Sequence, residues 1–117
     1  MKNDYCEENK KVREMMAELG EECPSLMAAF GRLHKSATED GALSEKVKEL
    51  LALAIGITVR CDGCIAFHVH DALEAGASRQ EILETIGVTV MMGGGPSVVY
   101  GTEALTALNQ FESVPCP

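Results

Sequence analysis

The chain has 117 residues, the size of a single domain, and 46% of it is hydrophobic, mostly small aliphatic residues and methionine rather than large rings. Its formal net charge of −8 argues against nucleic acid and anionic membranes as partners, because no basic stretch can neutralise phosphates. The longest apolar run, ELLALAIGITV, is too short to span a bilayer, and the N-terminus lacks the apolar core of a secretory signal. We therefore expect a cytoplasmic protein whose thin helical core is completed by contact with further copies of the same chain.

The first part of the chain predicts two helices and a loop. Residues 4–19 carry apolar side chains at helical spacing, and Gly20 is expected to end that helix. Pro24 begins the second helix, because proline suits a first turn, and residues 37–44 form a loop. The second helix is expected to bury four apolar side chains: Leu26, Met27, Phe30 and Leu33.

A third helix is predicted over roughly residues 45–59, with Ser44 as its N-terminal cap. Its apolar residues recur at the spacing of one helix face; they are Val47, Leu50, Leu51, Ala54 and Ile55. Leu53 and Ile57 make a second side apolar. We therefore expect this helix to be buried almost all round.

Three further helices complete the pattern. The fourth covers about residues 62–75 before Gly76, and a capping box from Ser78 to Glu81 opens the fifth. GGGP at residues 93–96 separates the fifth helix from the sixth. No alternation of period two indicates a strand, so the sequence predicts an all-α fold, a single helical domain of about six helices over residues 1–117. Within it, residues 1–22 form an N-terminal helical extension and residues 110–117 a flexible tail.

The stretch VRCDGCIAFHVHDAL, residues 59–73, holds two cysteines and two histidines. Cys61, Cys64, His68 and His70 are the right ligand types for zinc. On a helix, however, the two histidines lie about 200° apart and cannot both face one ion. Covalent haem needs a histidine directly after the second cysteine, where Ile65 stands. A metal site would need a further ligand from elsewhere.

A redox-active dithiol fits this spacing better. Cys61 and Cys64 flank the turn that begins the fourth helix, where unpaired N–H groups and the helix dipole favour a thiolate. His68 follows Cys64 by one turn on the same face and can exchange a proton with it. Glu49 lies in the most apolar helix, where a carboxylate can relay protons, although most helical glutamates are solvated surface residues. Asp71 is placed to orient His68 or to form a surface ion pair.

The odd number of cysteines, five, does not fit a closed set of structural disulfides. A Cys-x-x-Cys in a reducing compartment is more often catalytic or metal-binding. No role is expected for the remaining cysteines and histidines: Cys6, Cys23, Cys116, His34 and His70.

Glu49, Cys61-x-x-Cys64 and His68, spaced by eleven and three residues, resemble the motif of the AhpD-like alkylhydroperoxidases in the carboxymuconolactone decarboxylase family. The flanking AGAS and MGGGP stretches extend this resemblance over about residues 30–108. It implies an all-helical fold that assembles as a homotrimer or homohexamer, and thiol-dependent reduction of hydroperoxides. The lactone decarboxylases of the same family lack the cysteine pair, so decarboxylation is disfavoured.

The resemblance also implies roles for the four motif residues. Cys64 would attack the peroxide, Cys61 would resolve the intermediate, and Glu49 and His68 would relay protons. The resemblance implies no cofactor and no metal, because the Cys61–Cys64 disulfide is itself the redox group. The expected partners are an external dithiol donor, which is lipoamide- or thioredoxin-like, or a peroxiredoxin. From the residues alone the attacking cysteine stays open, because Cys61 is nearer the helix start and Cys64 nearer the histidine. Two alternatives remain: an electron-carrier disulfide reductase for a peroxiredoxin, and a non-enzymatic metal-binding helical module.

Overall fold

The computed structural model describes residues 4–113, and in that range the chain forms six helices and no strand. The prediction of an all-α fold is confirmed. The helices are α1 (Tyr5–Glu22), α2 (Pro24–Thr38), α3 (Glu45–Thr58), α4 (Asp62–Glu74), α5 (Arg79–Gly93) and α6 (Gly95–Ser113).

Side-chain caps explain where the helices begin. The Ser44 hydroxyl accepts a hydrogen bond from the Val47 amide at 3.2 Å and so starts α3. Ser78 and Glu81 form both bonds of a capping box, at 3.1 and 2.8 Å, at the start of α5. Both predicted caps are therefore confirmed.

The end of α1 was predicted wrongly. The helix continues through Gly20 to Glu22, and Cys23 closes it by donating its amide to the Leu19 carbonyl at 2.7 Å. Proline disfavours the helical conformation of the residue before it, and Cys23 has the non-helical angles φ −129° and ψ 67°. The stop signal is therefore Pro24, which begins α2 as predicted.

The core lies where α3 and α4 pair and where α5 and α6 pack against them. α1 is joined to this core by Tyr5, which is fully buried and donates its amide to the Gln110 side chain at 2.6 Å. The buried apolar residues are Tyr5, Leu53, Ile57, Ile65, Ala66, Val69, Ala72, Ala77, Ile82, Ala104, Ala107 and Leu108. None of the helices in the described range is long and apolar enough to cross a membrane.

Two predictions of burial are wrong for the single chain. No residue of α2 is buried, and Leu26, Phe30 and Leu33 are 63%, 46% and 64% exposed. Helix α3 is buried on one face only, through Glu49, Leu53, Gly56 and Ile57. Periodicity identifies an apolar face, but it does not guarantee that the same chain supplies an element to cover it.

The structure also shortens the predicted tail. Helix α6 continues to Ser113, so residues 110–113 are helical. Residues 114–117, which include Cys116, lie outside the described range.

Candidate redox-active dithiol site

Cys61 and Cys64 form a disulfide at the N-terminus of α4, with their Cα atoms 5.1 Å apart. Cys61 is the N-cap residue and has extended backbone angles of φ −111° and ψ 101°. Its Sγ accepts a hydrogen bond from the Cys64 amide at 3.1 Å. The Cys61 sulfur, which is part of the disulfide, therefore also satisfies one of the amides that a helix start leaves unpaired.

The turn before the disulfide places α3 and α4 close together. Arg60 has a positive φ of 60°, an unusual conformation for a residue with a side chain, and the Cys61 amide donates to the Gly56 carbonyl at 3.0 Å. A Cβ atom on Gly56 would lie 3.0 Å from the Cys64 Cβ. The absence of a side chain at Gly56 thus lets the dithiol approach the backbone of α3.

Glu49 and His68 join the same two helices. Oε1 of Glu49 lies 2.8 Å from Nδ1 of His68, and Glu49 is only 4% exposed. This contact engages Nδ1 of the His68 ring and leaves Nε2 for exchange with another group. Glu49 is therefore buried, unlike most glutamates on helices, which lie at the solvated surface.

The disulfide borders a cavity of about 270 Å³ with an almost wholly apolar lining. Helices α1, α2 and α4 all contribute to its wall. The lining residues are Val12, Met16, Phe30, His34, Cys61, Gly63, Cys64, Phe67 and His68. Three of the four predicted site residues therefore line one cavity. The fourth, Glu49, is not part of the lining and contacts Nδ1 of His68.

Asp71 and His70 belong to a different contact, between α4 and α1. Arg13 donates to Oδ1 of Asp71 at 2.6 Å, and its guanidinium lies 4.1 Å from the centre of the Phe67 ring. Nδ1 of His70 is 2.9 Å from the same Asp71 oxygen. Asp71 thus helps to hold α1 beside the cavity, and its side chain contacts Arg13 and His70 rather than His68.

Metal ligation finds no support in residues 4–113, where no group of three or more histidine, cysteine or acidic residues could hold an ion. His68 and His70 have separate partners, Glu49 on α3 and the Arg13–Asp71 pair. This agrees with the angle that separates them on α4.

His34 is the site residue that the sequence analysis missed. It lines the cavity, its ring packs edge-on against Phe67 at 6.1 Å, and its Nε2 is buried with no hydrogen-bond partner in the described structure. The available signal was its position one turn after Phe30 on the apolar face of α2. Cys23, for which the sequence analysis also expected no role, is a free thiol at the junction of α1 and α2.

Comparison with known proteins agrees with this geometry. The carboxymuconolactone decarboxylase family matches residues 24–107. A crystal structure of a member of that family from Legionella pneumophila superposes with a TM-score of 0.89 at 42% identity, over 93% of this chain and 97% of that one. An uncharacterized protein from Cupriavidus necator is 38% identical over 81% of this chain and 84% of its own length.

A further relative is more distant. The alkyl hydroperoxide reductase AhpD of Nocardia farcinica is 37% identical over 59 residues, which are 50% of this chain and 33% of that protein.

An all-helical domain with a Cys-x-x-Cys at a helix start, beside a buried glutamate paired with a half-buried histidine, defines a class of small helical dithiol proteins. The chain belongs to the carboxymuconolactone decarboxylase family, as an AhpD-like member. The resemblance seen in the sequence is confirmed.

Proposed function

We propose that this protein is a thiol-dependent peroxidase that reduces organic hydroperoxides. The observation that carries the proposal is the meeting of the Cys61–Cys64 pair and the Glu49–His68 pair at one apolar cavity. The cysteine pair supplies two electrons, the Glu–His pair moves protons, and the cavity accepts an apolar substrate body. The partial match to an alkyl hydroperoxide reductase supports the same chemistry.

In the proposed cycle, Nε2 of His68 removes the proton of the Cys64 thiol, while Glu49 stabilises the protonated imidazole through Nδ1. The thiolate attacks a peroxide oxygen, so that an S–O bond forms and the O–O bond breaks. The departing alkoxide takes the proton from His68 and leaves as an alcohol. Cys61 then attacks the sulfenic sulfur of Cys64, a disulfide forms, and water is released.

An external dithiol closes the cycle by thiol–disulfide exchange and is itself oxidised to a disulfide. We assign this role to a lipoamide- or thioredoxin-like donor. In the alternative function, as an electron carrier, the reduced Cys61–Cys64 dithiol instead passes its two electrons to the disulfide of an oxidised peroxiredoxin. A reducing cytoplasm is the compartment that fits such a cycle.

The assignment of Cys64 as the attacking thiol rests on the position of His68, one helical turn away. Cys61 is the competing candidate, because its Sγ sits at the N-cap and accepts the Cys64 amide. Thiolates at helix N-termini are stabilised by the unpaired amides. The two assignments predict different products when one cysteine is replaced.

The experiment is a mass measurement of the reduced, full-length chain after one equivalent of cumene hydroperoxide. The native chain should lose two hydrogens. Cys61→Ser should gain one oxygen atom, as a sulfenic acid, and Cys64→Ser should not react at this site. The double variant Cys61→Ser/Cys64→Ser measures background oxidation at the other three cysteines.

Other outcomes have definite meanings. An oxygen gained by Cys64→Ser but not by Cys61→Ser would reverse the two roles. A native chain that ignores the hydroperoxide would contradict the peroxidase. If that chain still cycles between dithiol and disulfide with dihydrolipoamide, it is an electron carrier. Stoichiometric zinc in the purified protein would instead favour the metal-binding module.

We also propose that the chain works as a homo-oligomer, a homotrimer or homohexamer. On α3, Val47, Leu51 and Ile55 form an exposed stripe, and Met91 and Met92 at the end of α5 are 74% and 77% exposed. Apolar stripes of this kind mark protein–protein contacts. A second copy is the natural occupant, because the same uncharged apolar side chains on two copies can cover one another across a symmetric interface.

A further inference from the structure

We propose that His34 is a substrate-binding residue whose Nε2 forms a hydrogen bond to the oxygen of an organic hydroperoxide, and of its alcohol product, in the dithiol cavity. The inference rests on the proposed function and names a residue that determines substrate affinity at the same site. It assigns His34 to ligand binding and leaves proton transfer to His68.

The first observation is the state of the His34 ring. Its Nε2 is buried and has no hydrogen-bond partner within the described residues. Leaving such a group unpaired costs stability, and native proteins rarely do so without a functional reason. A ligand oxygen would supply the missing partner, since an imidazole nitrogen can donate or accept.

The second observation is the chemistry of the wall. Among the lining side chains, nitrogen or oxygen atoms occur only at His34 and His68. Nδ1 of His68 is already bonded to Glu49. A ligand with an apolar body and a polar head can therefore bury the body anywhere in this cavity, but its oxygen must lie near one of the two imidazoles.

The third observation is how the two histidines are arranged. The Phe67 ring packs edge-on against both, with centroid distances of 6.1 Å to His34 and 5.2 Å to His68. Phe67 thus contacts both of the imidazoles that line the cavity. Because Nε2 of His34 has no hydrogen-bond partner within the described residues, a rotamer change that turns it toward a ligand breaks no hydrogen bond.

The test uses two substitutions of matched size, His34→Gln and His34→Met. A glutamine amide can reach the position of Nε2 and keep the hydrogen bond, whereas methionine has similar length and flexibility without it. Both lose the ring contact with Phe67 equally. The probe is cumyl alcohol, titrated into the reduced full-length protein by NMR.

We expect His34→Met to weaken cumyl alcohol binding by about 3- to 10-fold, the effect of one lost hydrogen bond. His34→Gln should stay within about 2-fold of the native protein. Equal affinities in all three proteins, or equal losses in both variants, would overturn the assignment, because shape alone would then explain the result. Absence of cumyl alcohol binding to the native chain would overturn it as well.

Two measurements separate this inference from the peroxidase proposal. Alkylation by iodoacetamide reports thiol reactivity and should be unchanged in both variants, since His34 acts on the ligand. Oxidation by cumene hydroperoxide should slow in His34→Met and not in His34→Gln. If the native chain is oxidised and the two variants behave alike, only the role of His34 fails. If the native chain is not oxidised, the peroxidase fails, while the alcohol titration still tests binding by His34.

Discussion

The two faces of α3 have similar periodicity but opposite environments. The inner face, toward α4, consists of Glu49, Leu53, Gly56 and Ile57, and all four are buried. The outer face consists of Val47, Leu51 and Ile55, which are 36%, 50% and 62% exposed. A carboxylate is therefore buried while three apolar side chains of the same helix are exposed.

This difference shows that burial in the single chain follows the neighbouring element and not hydropathy. The inner face is covered because α4 lies against it, and Glu49 is tolerated there because the His68 imidazole satisfies it at 2.8 Å. The outer face is as apolar as a core surface, but no helix within the described residues covers it. We therefore expect substitutions on the inner face to change chemistry or folding and those on the outer face to change assembly.

The largest effect is expected from Glu49→Gln on the inner face. The amide keeps the size of the side chain but removes the charge that stabilises a protonated His68. Oxidation of the dithiol by cumene hydroperoxide should slow by about 100-fold, the scale of general acid–base catalysis. Stopped-flow kinetics measures the rate, with Glu45→Gln, exposed in the first turn of α3, as the matched control. An unchanged rate in Glu49→Gln would remove the carboxylate from the mechanism.

On the outer face, Leu51→Glu should disrupt the oligomer. A charge in the middle of the stripe must be desolvated when two copies meet, so light scattering should give the 12.5 kDa mass of a single chain. Gln80→Glu, an exposed position on α5, adds the same charge elsewhere and should leave the assembly intact. A native protein that is monomeric, or a Leu51→Glu variant that keeps the native mass, contradicts the interpretation of this face.

The close approach at Gly56 gives a smaller effect on stability. In Gly56→Ala the new methyl group crowds the Cys64 Cβ, and we expect the free energy of unfolding to fall by about 1 kcal/mol despite the higher helix propensity of alanine. Gly87→Ala, in α5 with no atom within 4 Å of the added Cβ, should instead raise it by up to about 1 kcal/mol. Urea denaturation of the two oxidised variants provides the comparison. Shifts in the same direction would show that the contact at Gly56 has no cost.

The smallest effect concerns the ion pair at the start of α3. The Ser78 amide, and next Lys46 at 2.9 Å, lower the pKa of Glu81 below its ordinary value of 4.5. A carboxyl group whose pKa is lowered in the folded state stabilises the protein at every pH above its ordinary pKa. This contribution is lost as the pH falls through the folded-state pKa. The native melting temperature should therefore exceed that of Glu81→Gln near neutral pH, and the gap should close as the pH falls below 4.5.

Glutamine preserves a capping box, so this comparison isolates the charge. Glu84→Gln on the same helix changes the net charge equally and serves as the control. A gap that is constant across the acid range would mean that the charge of Glu81 contributes nothing.

The sequence predicted those features that depend on local interactions. The caps at Ser44 and Ser78 and the start of α2 at Pro24 follow from bonds within a few residues, and they were correct. The motif also named Glu49, Cys61, Cys64 and His68. Their spacing reflects the pairing of α3 with α4, which holds the Glu49–His68 contact beside the disulfide, while their chemical roles stay a prediction.

The features it missed depend on contacts between distant segments. For Asp71 the sequence offered an ion pair as one alternative, and the ion pair is what the structure shows; its partner Arg13 lies 58 residues away, so nothing local identifies it. His34 likewise becomes a site residue only when α2 packs beside α4. The exposure of Leu26 and Leu33 depends on what surrounds α2, and a periodic pattern contains no information about a neighbour.

The position of α1 has a consequence for how such a site diversifies. The family match begins at residue 24, after α1, yet Val12 and Met16 of α1 wall the cavity, and Arg13 fastens the helix there. The cysteine pair and the Glu49–His68 pair, on α3 and α4, and one wall of the cavity, on α1, thus occupy separate segments of the chain. Under the proposed function, substitution of Val12 and Met16 alone would change which molecules fit the cavity, while Tyr5 and Arg13 keep α1 in place and the dithiol stays unchanged.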